Sequence, residues 1–205
     1  MKQPMAGYLL MLLAGTSLAA TPGGGDPVAG ESSAAVCAGC HGQGGAAPTM
    51  GLYPKLSGLG EAYLFRQLQA IQSGQREVPQ MTGLLNGLSE ADLRDLAAYF
   101  NEQPMTVGQA SPDTVERAQA LYRGGDLKRG IPACSACHSP NGQGNGPAGF
   151  PRLGGQSAEY LAAQLKAYRS GERAGSAQAS IMTDIAGKLT DDDIAALANY
   201  LSGLH

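Results

Sequence analysis

The feature that most constrains this chain is that it repeats itself. A shift of 97 positions lays Cys37, Cys40 and His41 on Cys134, Cys137 and His138, and the neighbours follow. Tyr53-Pro54-Lys55-Leu56 falls on Phe150-Pro151-Arg152-Leu153, Tyr63-Leu64 on Tyr160-Leu161, and Gln67-Leu68 on Gln164-Leu165. Gly74 and Arg76 fall on Gly171 and Arg173. A four-residue insertion in the second copy then changes the shift to 101, so that Met81-Thr82 meets Met182-Thr183 and Leu88-Ser89 meets Leu189-Thr190. Two copies of one small domain follow. Pro104, Gly108, Ser111 and Pro112 interrupt the pattern between them. The expected organisation is a first domain over 21–103, a linker over 104–112 and a second domain over 113–205.

Residues 1–20 stand apart. Lys2 is their only charge, an apolar run extends from Met5 to Leu13, and small residues occupy Ser17, Ala19 and Ala20. This is the pattern of an export signal, with cleavage expected near Ala19 or Ala20 and an uncleaved N-terminal anchor as the alternative. The apolar run falls short of the roughly 20 residues that span a bilayer.

Each copy reads as helical. Leu93, Leu96, Ala97 and Phe100 recur at i, i+3, i+4 and i+7, and Ile194, Leu197, Ala198 and Leu201 repeat the stripe. Ser89 with Asp92, and Thr190 with Asp193, place a hydroxyl cap three residues before a carboxylate, which marks the start of each helix. A second helix per copy is expected over about 61–73 and 158–170, stopped at Gly74 and Gly171. A short helix from about Glu31 precedes Cys37, and a longer one over 112–123 precedes the second motif. The stretches between these helices are Gly-rich and lack alternating β-branched runs, so no strands are expected. The fold class is all-α.

Composition adds two constraints. Thirty Gly, twelve Pro, no Trp and three Phe leave few large side chains to fill two cores, so a bound group would serve as filler. The formal net charge of −3 supplies no basic surface for a run of phosphates, which argues against a nucleic-acid partner. The charge is also uneven. Thr21–Gly108 carries four cations and eight carboxylates, net −4, whereas Gln109–His205 carries nine of each.

The chemistry sits in Cys37-Ala38-Gly39-Cys40-His41 and Cys134-Ser135-Ala136-Cys137-His138. Two thiols three apart on one helical turn can reach the two vinyl groups of a haem, and the next residue directs an imidazole at the iron. Both motifs therefore read as c-type haem attachment. A redox dithiol, a four-cysteine zinc site or disulfides would each leave the histidines without a task. The sixth iron ligand must come from further along the chain. Met81, 40 residues after His41, and Met182, 44 after His138, are the methionines that correspond under the repeat. Met50 or Met105 replacing one of them is the competing assignment, with core packing the ordinary role of any methionine. His205 is terminal and present in one copy only.

These motifs, in this order, resemble the two-haem cytochrome c4 family, across roughly residues 25–205. The resemblance implies two tandem class I cytochrome c-like domains related by a pseudo-two-fold repeat. It implies two covalently bound haem c groups, with thioethers at Cys37, Cys40, Cys134 and Cys137. His41 with Met81, and His138 with Met182, would be the axial pairs. It also suggests that Pro54 and Pro151 accept a hydrogen bond from the motif histidines. Lys55, Arg76, Arg152 and Arg173 are then candidate propionate partners, or merely solvated cations.

The function implied is not enzymatic. It is outer-sphere electron carriage in the periplasm, between a respiratory donor and an acceptor such as a terminal oxidase. The partners would be periplasmic or membrane-bound redox proteins. A dihaem subunit of a flavoprotein dehydrogenase is the alternative, and a dihaem enzyme a third reading.

Overall fold

The computed structural model describes residues 24–205, so the expected export signal lies outside the described residues. Among those described, no helix is long and apolar enough to cross a membrane.

The first half opens with α1 (Pro27–Ser33). Its start lies several residues earlier than the expected Glu31, because Asp26 caps it from outside and Pro27 supplies a helical φ at a position that needs no N–H. The Asp26 carboxylate accepts from Val28 N and Ala29 N. A 3-10 turn, Ala34–Cys37, leads into α2 (Ala38–His41), followed by α3 (Glu61–Gln72) and α4 (Glu90–Glu102). The second half comprises α5 (Val115–Gly124), α6 (Ser135–His138), α7 (Ala158–Ser170), α8 (Ala177–Ala186) and α9 (Asp191–Ser202). No strands form among the described residues. Two isolated bridges, Asp126 with Ile131 and Asn145 with Phe150, each close a short turn.

The apolar stripes expected on the last helix of each copy are the buried ones: Leu93, Leu96, Ala97 and Phe100 on α4, Ile194, Leu197, Ala198 and Leu201 on α9. Both carry the reciprocal capping box, Ser89 with Asp92 and Thr190 with Asp193. α4 packs on α1 and α3, and α9 packs on α5 and α7. Gly30 lets α1 approach α4 closely, since a Cβ there would stand 2.0 Å from Asp95 O.

Helix α8 was not anticipated. The corresponding stretch of the first half holds Pro79, Gly83 and Gly87 and forms only a 3-10 turn, Pro79–Met81. The second half has neither residue type over 177–186. Ser176 caps α8 by accepting from Ala179 N.

The halves meet through residues that the repeat makes equivalent. Arg76 donates to Gln67 Oε1 (2.7 Å), Tyr160 Oη (3.1 Å) and Gln164 Oε1 (3.2 Å). Arg173 donates to Gln164 Oε1 (2.6 Å), Tyr63 Oη (2.8 Å) and Gln67 Oε1 (3.0 Å). Such reciprocity is what a two-fold interface produces, here within one chain. Around it, Lys55 N donates to Gln156 Oε1 and Gln156 Nε2 to Lys55 O, both at 2.9 Å, while Arg152 N donates to Leu59 O (3.3 Å). The connecting segment is held at both sides: Thr106 Oγ1 donates to Ala46 O (2.7 Å) and Gly108 N to Ser202 O (3.1 Å).

Candidate functional site

Each Cys-x-x-Cys-His segment folds into a single helical turn that ends on its histidine. Both imidazoles are buried. His41 Nδ1 lies 2.8 Å from Pro54 O and His138 Nδ1 lies 2.9 Å from Pro151 O, as the resemblance suggested. A carbonyl can only accept, so Nδ1 carries the proton in both rings and Nε2 keeps its lone pair. Burial pushes both imidazoles below their ordinary range, against a smaller opposing pull from the carbonyl. Neutral imidazole with a free Nε2 is the metal-ligating form, and the proline carbonyl fixes its tautomer and orientation. An aromatic ring flanks each histidine at the same register: Tyr53 at 6.3 Å from His41 and Phe150 at 6.0 Å from His138.

No disulfide joins the cysteines. Burial raises the Cys37 thiol and pushes Cys134 up to about 11, opposite to the lowering that activates a redox dithiol. In the second half Cys134, Cys137, His138 and Met182 line one cavity of about 700 Å³. Its walls are largely apolar, through Leu153, Leu161, Leu165 and Leu197, and Tyr63, Gln67 and Arg76 of the first half close it at the interface. In the first half Cys37, Leu56 and Leu68 pack against the core formed by Leu64, Leu96 and Phe100.

Met81 is half-buried in its 3-10 turn, and Met182 is half-buried on α8. Met50 is 52% exposed, whereas Met105 packs on the first core with its sulfur 3.8 Å from Ser57 Oγ. His205 is exposed at the terminus, its Nδ1 3.0 Å from Gly203 O.

The four repeated cations are not merely solvated. All are half-buried at the junction of the halves. Lys55 Nζ donates to Thr106 O (2.5 Å) and Gly155 O (2.7 Å), and Arg152 Nε to Gly154 O (2.8 Å). Among the described residues no carboxylate lies within 4.0 Å of Arg76 or Arg173. Their positive charge is therefore uncompensated beside the cavity, which suits an anionic group there. Free thiols, neutral imidazoles, an apolar cavity and uncompensated cations together fit haem c.

Two residues of the site escaped the sequence reading. Gln156, nearly fully buried, occupies the register of Leu59, and a polar residue at a core position of the repeat was the available signal. Tyr122, also buried, donates to Ser139 O (2.6 Å) just after the second haem turn, and nothing in the repeat marks it.

A mostly helical chain with two such turns, each ending on a carbonyl-oriented histidine, is a c-type cytochrome of two domains. Residues 115–205 match the family described as cytochrome c, and residues 30–100 match that described as cytochrome c oxidase, cbb3-type, subunit III. The chain is 50% identical to cytochrome c4 of Pseudomonas aeruginosa over 96% of either sequence. It superposes on the crystal structure of reduced recombinant cytochrome c4 from Pseudomonas stutzeri with a TM-score of 0.85 at 47% identity, covering 88% of this chain and 100% of that one. It is also 38% identical to a thiosulfate dehydrogenase electron acceptor of Thiomonas intermedia, over 85% of this chain and 81% of the relative. The chain belongs to the cytochrome c4 family. It is a dihaem electron-transfer cytochrome with two covalently bound haem c groups.

Proposed function

We propose that the chain is an exported electron carrier, not an enzyme, that shuttles electrons between a respiratory donor and a terminal acceptor. Cys37, Cys40, His41 and Met81 would hold one haem, and Cys134, Cys137, His138 and Met182 the other. When bound, each haem supplies a one-electron ferric/ferrous couple whose potential is raised by Met/His ligation. The gathering of His138, both its cysteines and Met182 around one cavity is the observation that carries this reading. The repeat extends it to the first half.

The protein's own residues set the conditions. Pro54 and Pro151 hold the imidazoles in one tautomer, so that little rearranges as charge comes and goes. The leucine walls keep water from the cavity. Arg76 and Arg173 place positive charge at the junction of the halves, where it would favour the reduced state of a nearby haem. With a histidine and a methionine of the protein on each iron, no site would remain there for a substrate.

The test is carbon monoxide binding by the reduced protein. Wild type is expected to resist it, while Met81→Ala and Met182→Ala each open one of the two haems. An unchanged spectrum in either variant overturns the assignment of that methionine. A second reading, favoured by the likeness to the Thiomonas protein, makes a sulfur-compound dehydrogenase the donor. Reduction by such an enzyme at the rate seen with a respiratory quinol–cytochrome c oxidoreductase would support it.

A further inference from the structure

The second half builds one closed turn twice. In 145–150 and in 126–131 the end residues exchange both backbone hydrogen bonds: Asn145 with Phe150 at 2.9 and 3.0 Å, Asp126 with Ile131 at 2.8 Å each. Inside, Gly149 N donates to Gly146 O and Gly130 N to Leu127 O. Asn145 Oδ1 accepts from Ala148 N, and Asp126 Oδ1 from Lys128 N and Arg129 N. The fifth residue of each is a glycine with positive φ, 72° at Gly149 and 66° at Gly130.

One copy of this turn already makes a docking contact. Gly149 O accepts from Arg66 Nη2 of the first half at 2.6 Å. The other ends in solvent, with Leu127 90% exposed. A single exposed leucine is ordinary. This one is carried on a turn tied down on several sides. Arg129 bonds Asp126 (2.7 Å) and Asp193 (2.5 Å), and Lys188 Nζ donates to Gly130 O (3.1 Å). Ile131, at its base, is buried.

We propose that the 126–131 turn is where the second half docks an acidic redox protein, Leu127 entering an apolar recess and Arg123 and Lys128 facing its carboxylates. This rests on the electron-carrier reading. The charge around the turn selects the partner. Asp126 and Asp193 are consumed by Arg129 and Arg117, and no carboxylate lies within 4.0 Å of Arg123 or Lys128 among the described residues. The first half presents the opposite sign, because Lys55, Arg66 and Arg76 turn toward the second half, and its fourth cation, Arg94, is paired with Glu90, which leaves carboxylates in excess there. An acid-rimmed partner is thus steered to the turn and away from the other half. The location is apt, since Arg123 O, at the end of α5, lies 3.5 Å from Ser135 Oγ, between the two cysteines of the second motif. A rigid turn also loses little entropy on binding.

The test uses the full protein with both haems. Stopped-flow electron transfer from a reduced acidic copper protein is compared with that from a basic small cytochrome, across ionic strengths. Leu127→Ser is expected to slow the acidic partner about tenfold, the effect of one leucine kept from burial. Lys128→Glu is expected to flatten that partner's salt dependence. Neither should move the basic cytochrome's rate by more than about twofold, because both changes lie outside the acidic half. Equal losses with both partners, or an unchanged rate with the acidic one, overturn the proposal. So does a Leu127→Ser variant whose altered property is instead sedimentation with phosphatidylglycerol vesicles, or self-association. Calorimetric affinity for the acidic protein keeps the two readings separate. Should no electron move, the carrier reading fails, while a Kd weakened by Leu127→Ser still supports the contact and an unchanged Kd overturns it.

Discussion

Ser89–Asp92 and Thr190–Asp193 form the same capping box at equivalent positions, yet Asp92 is half-buried and bonds to Ser89 within its own cap, while the Asp193 side chain is 1% exposed and bonded also to Arg117 and Arg129. A similar divergence follows each haem turn. Gly42 ends the first with φ 76°, and Ser139 adopts φ 67° at the matching place in the second, a region that essentially only glycine visits without strain. Ser139 is held there by its hydroxyl on Gly144 O (2.5 Å) and by Tyr122 on its carbonyl. Met81 sits in a 3-10 turn and Met182 in a helix. At the cap and after the haem turn the second half uses long-range polar ties where the first uses local ones, although the first half has long-range ties elsewhere, such as Asp26 N to Asp95 and Gly60 N to Asn101. What differs at these two places is the source of rigidity, not the architecture.

The sharpest way to break that comparison is to exchange the residues after the haem turns. Gly42→Ser should cost about 3 kcal/mol, because strain at positive φ adds to steric conflict. A Cβ there would stand 2.1 Å from Ala47 O. Ser139→Gly should instead stabilise by less than about 1 kcal/mol, since relief of strain is partly offset by the lost bond to Gly144. Urea unfolding of the two holoproteins reads both signs. A stable Gly42→Ser protein would mean the two turns are interchangeable.

Asp193→Asn comes next, with an expected loss of about 2 to 3 kcal/mol, reduced from the full value for a buried pair because its arginines are partly exposed. Asp92→Asn should lose less, as a cap without arginine partners is weakened. Burial pushes the Asp193 carboxyl up, but hydrogen bonds from Arg129, Thr190 and Arg117 outweigh it and hold it well below the usual carboxylate range. A depressed folded value means that this stability is fully present above the unfolded carboxylate pKa of about 3.9 and is lost as pH falls below it. Acid titration of stability should therefore be flatter below about pH 4 in Asp193→Asn than in wild type. Parallel curves would remove Asp193 from the account.

The smallest expected effect tests what the halves share. Arg76→Ala and Arg173→Ala use the same acceptors, Gln67 and Gln164, so the double variant should depart from additivity by about 1 kcal/mol. Strict additivity would show that the two arginines act separately and that the interface is not one network.

Much of this was legible from residues near one another in sequence. The haem turns, the two capping boxes and the buried stripes of α4 and α9 depend on spacings of three or four residues, which a helix converts directly into neighbours. The repeat gives no sign of helix α8, because Pro79 and Gly83 of the first copy interrupt a helix that the second copy, free of Pro and Gly over 177–186, forms. The start of α1 was missed because Asp26 and Pro27 precede the first apolar position.

The sequence by itself determined two haem-attachment sites, a repeated all-α plan and the equivalence of His41 and His138, because covalent spacing and helical period are local properties. Tertiary structure alone decided the roles of Arg76, Arg173, Gln156 and Tyr122. Arg76 and Arg173 have acceptors both nine residues away and across the interface, and the repeat supplies the same residue types in each half. Periodicity cannot say which copy an arginine will face. That choice is made only when the two halves bury their equivalent faces against each other, where an unbonded guanidinium or amide would cost more than the bonds it makes across the interface.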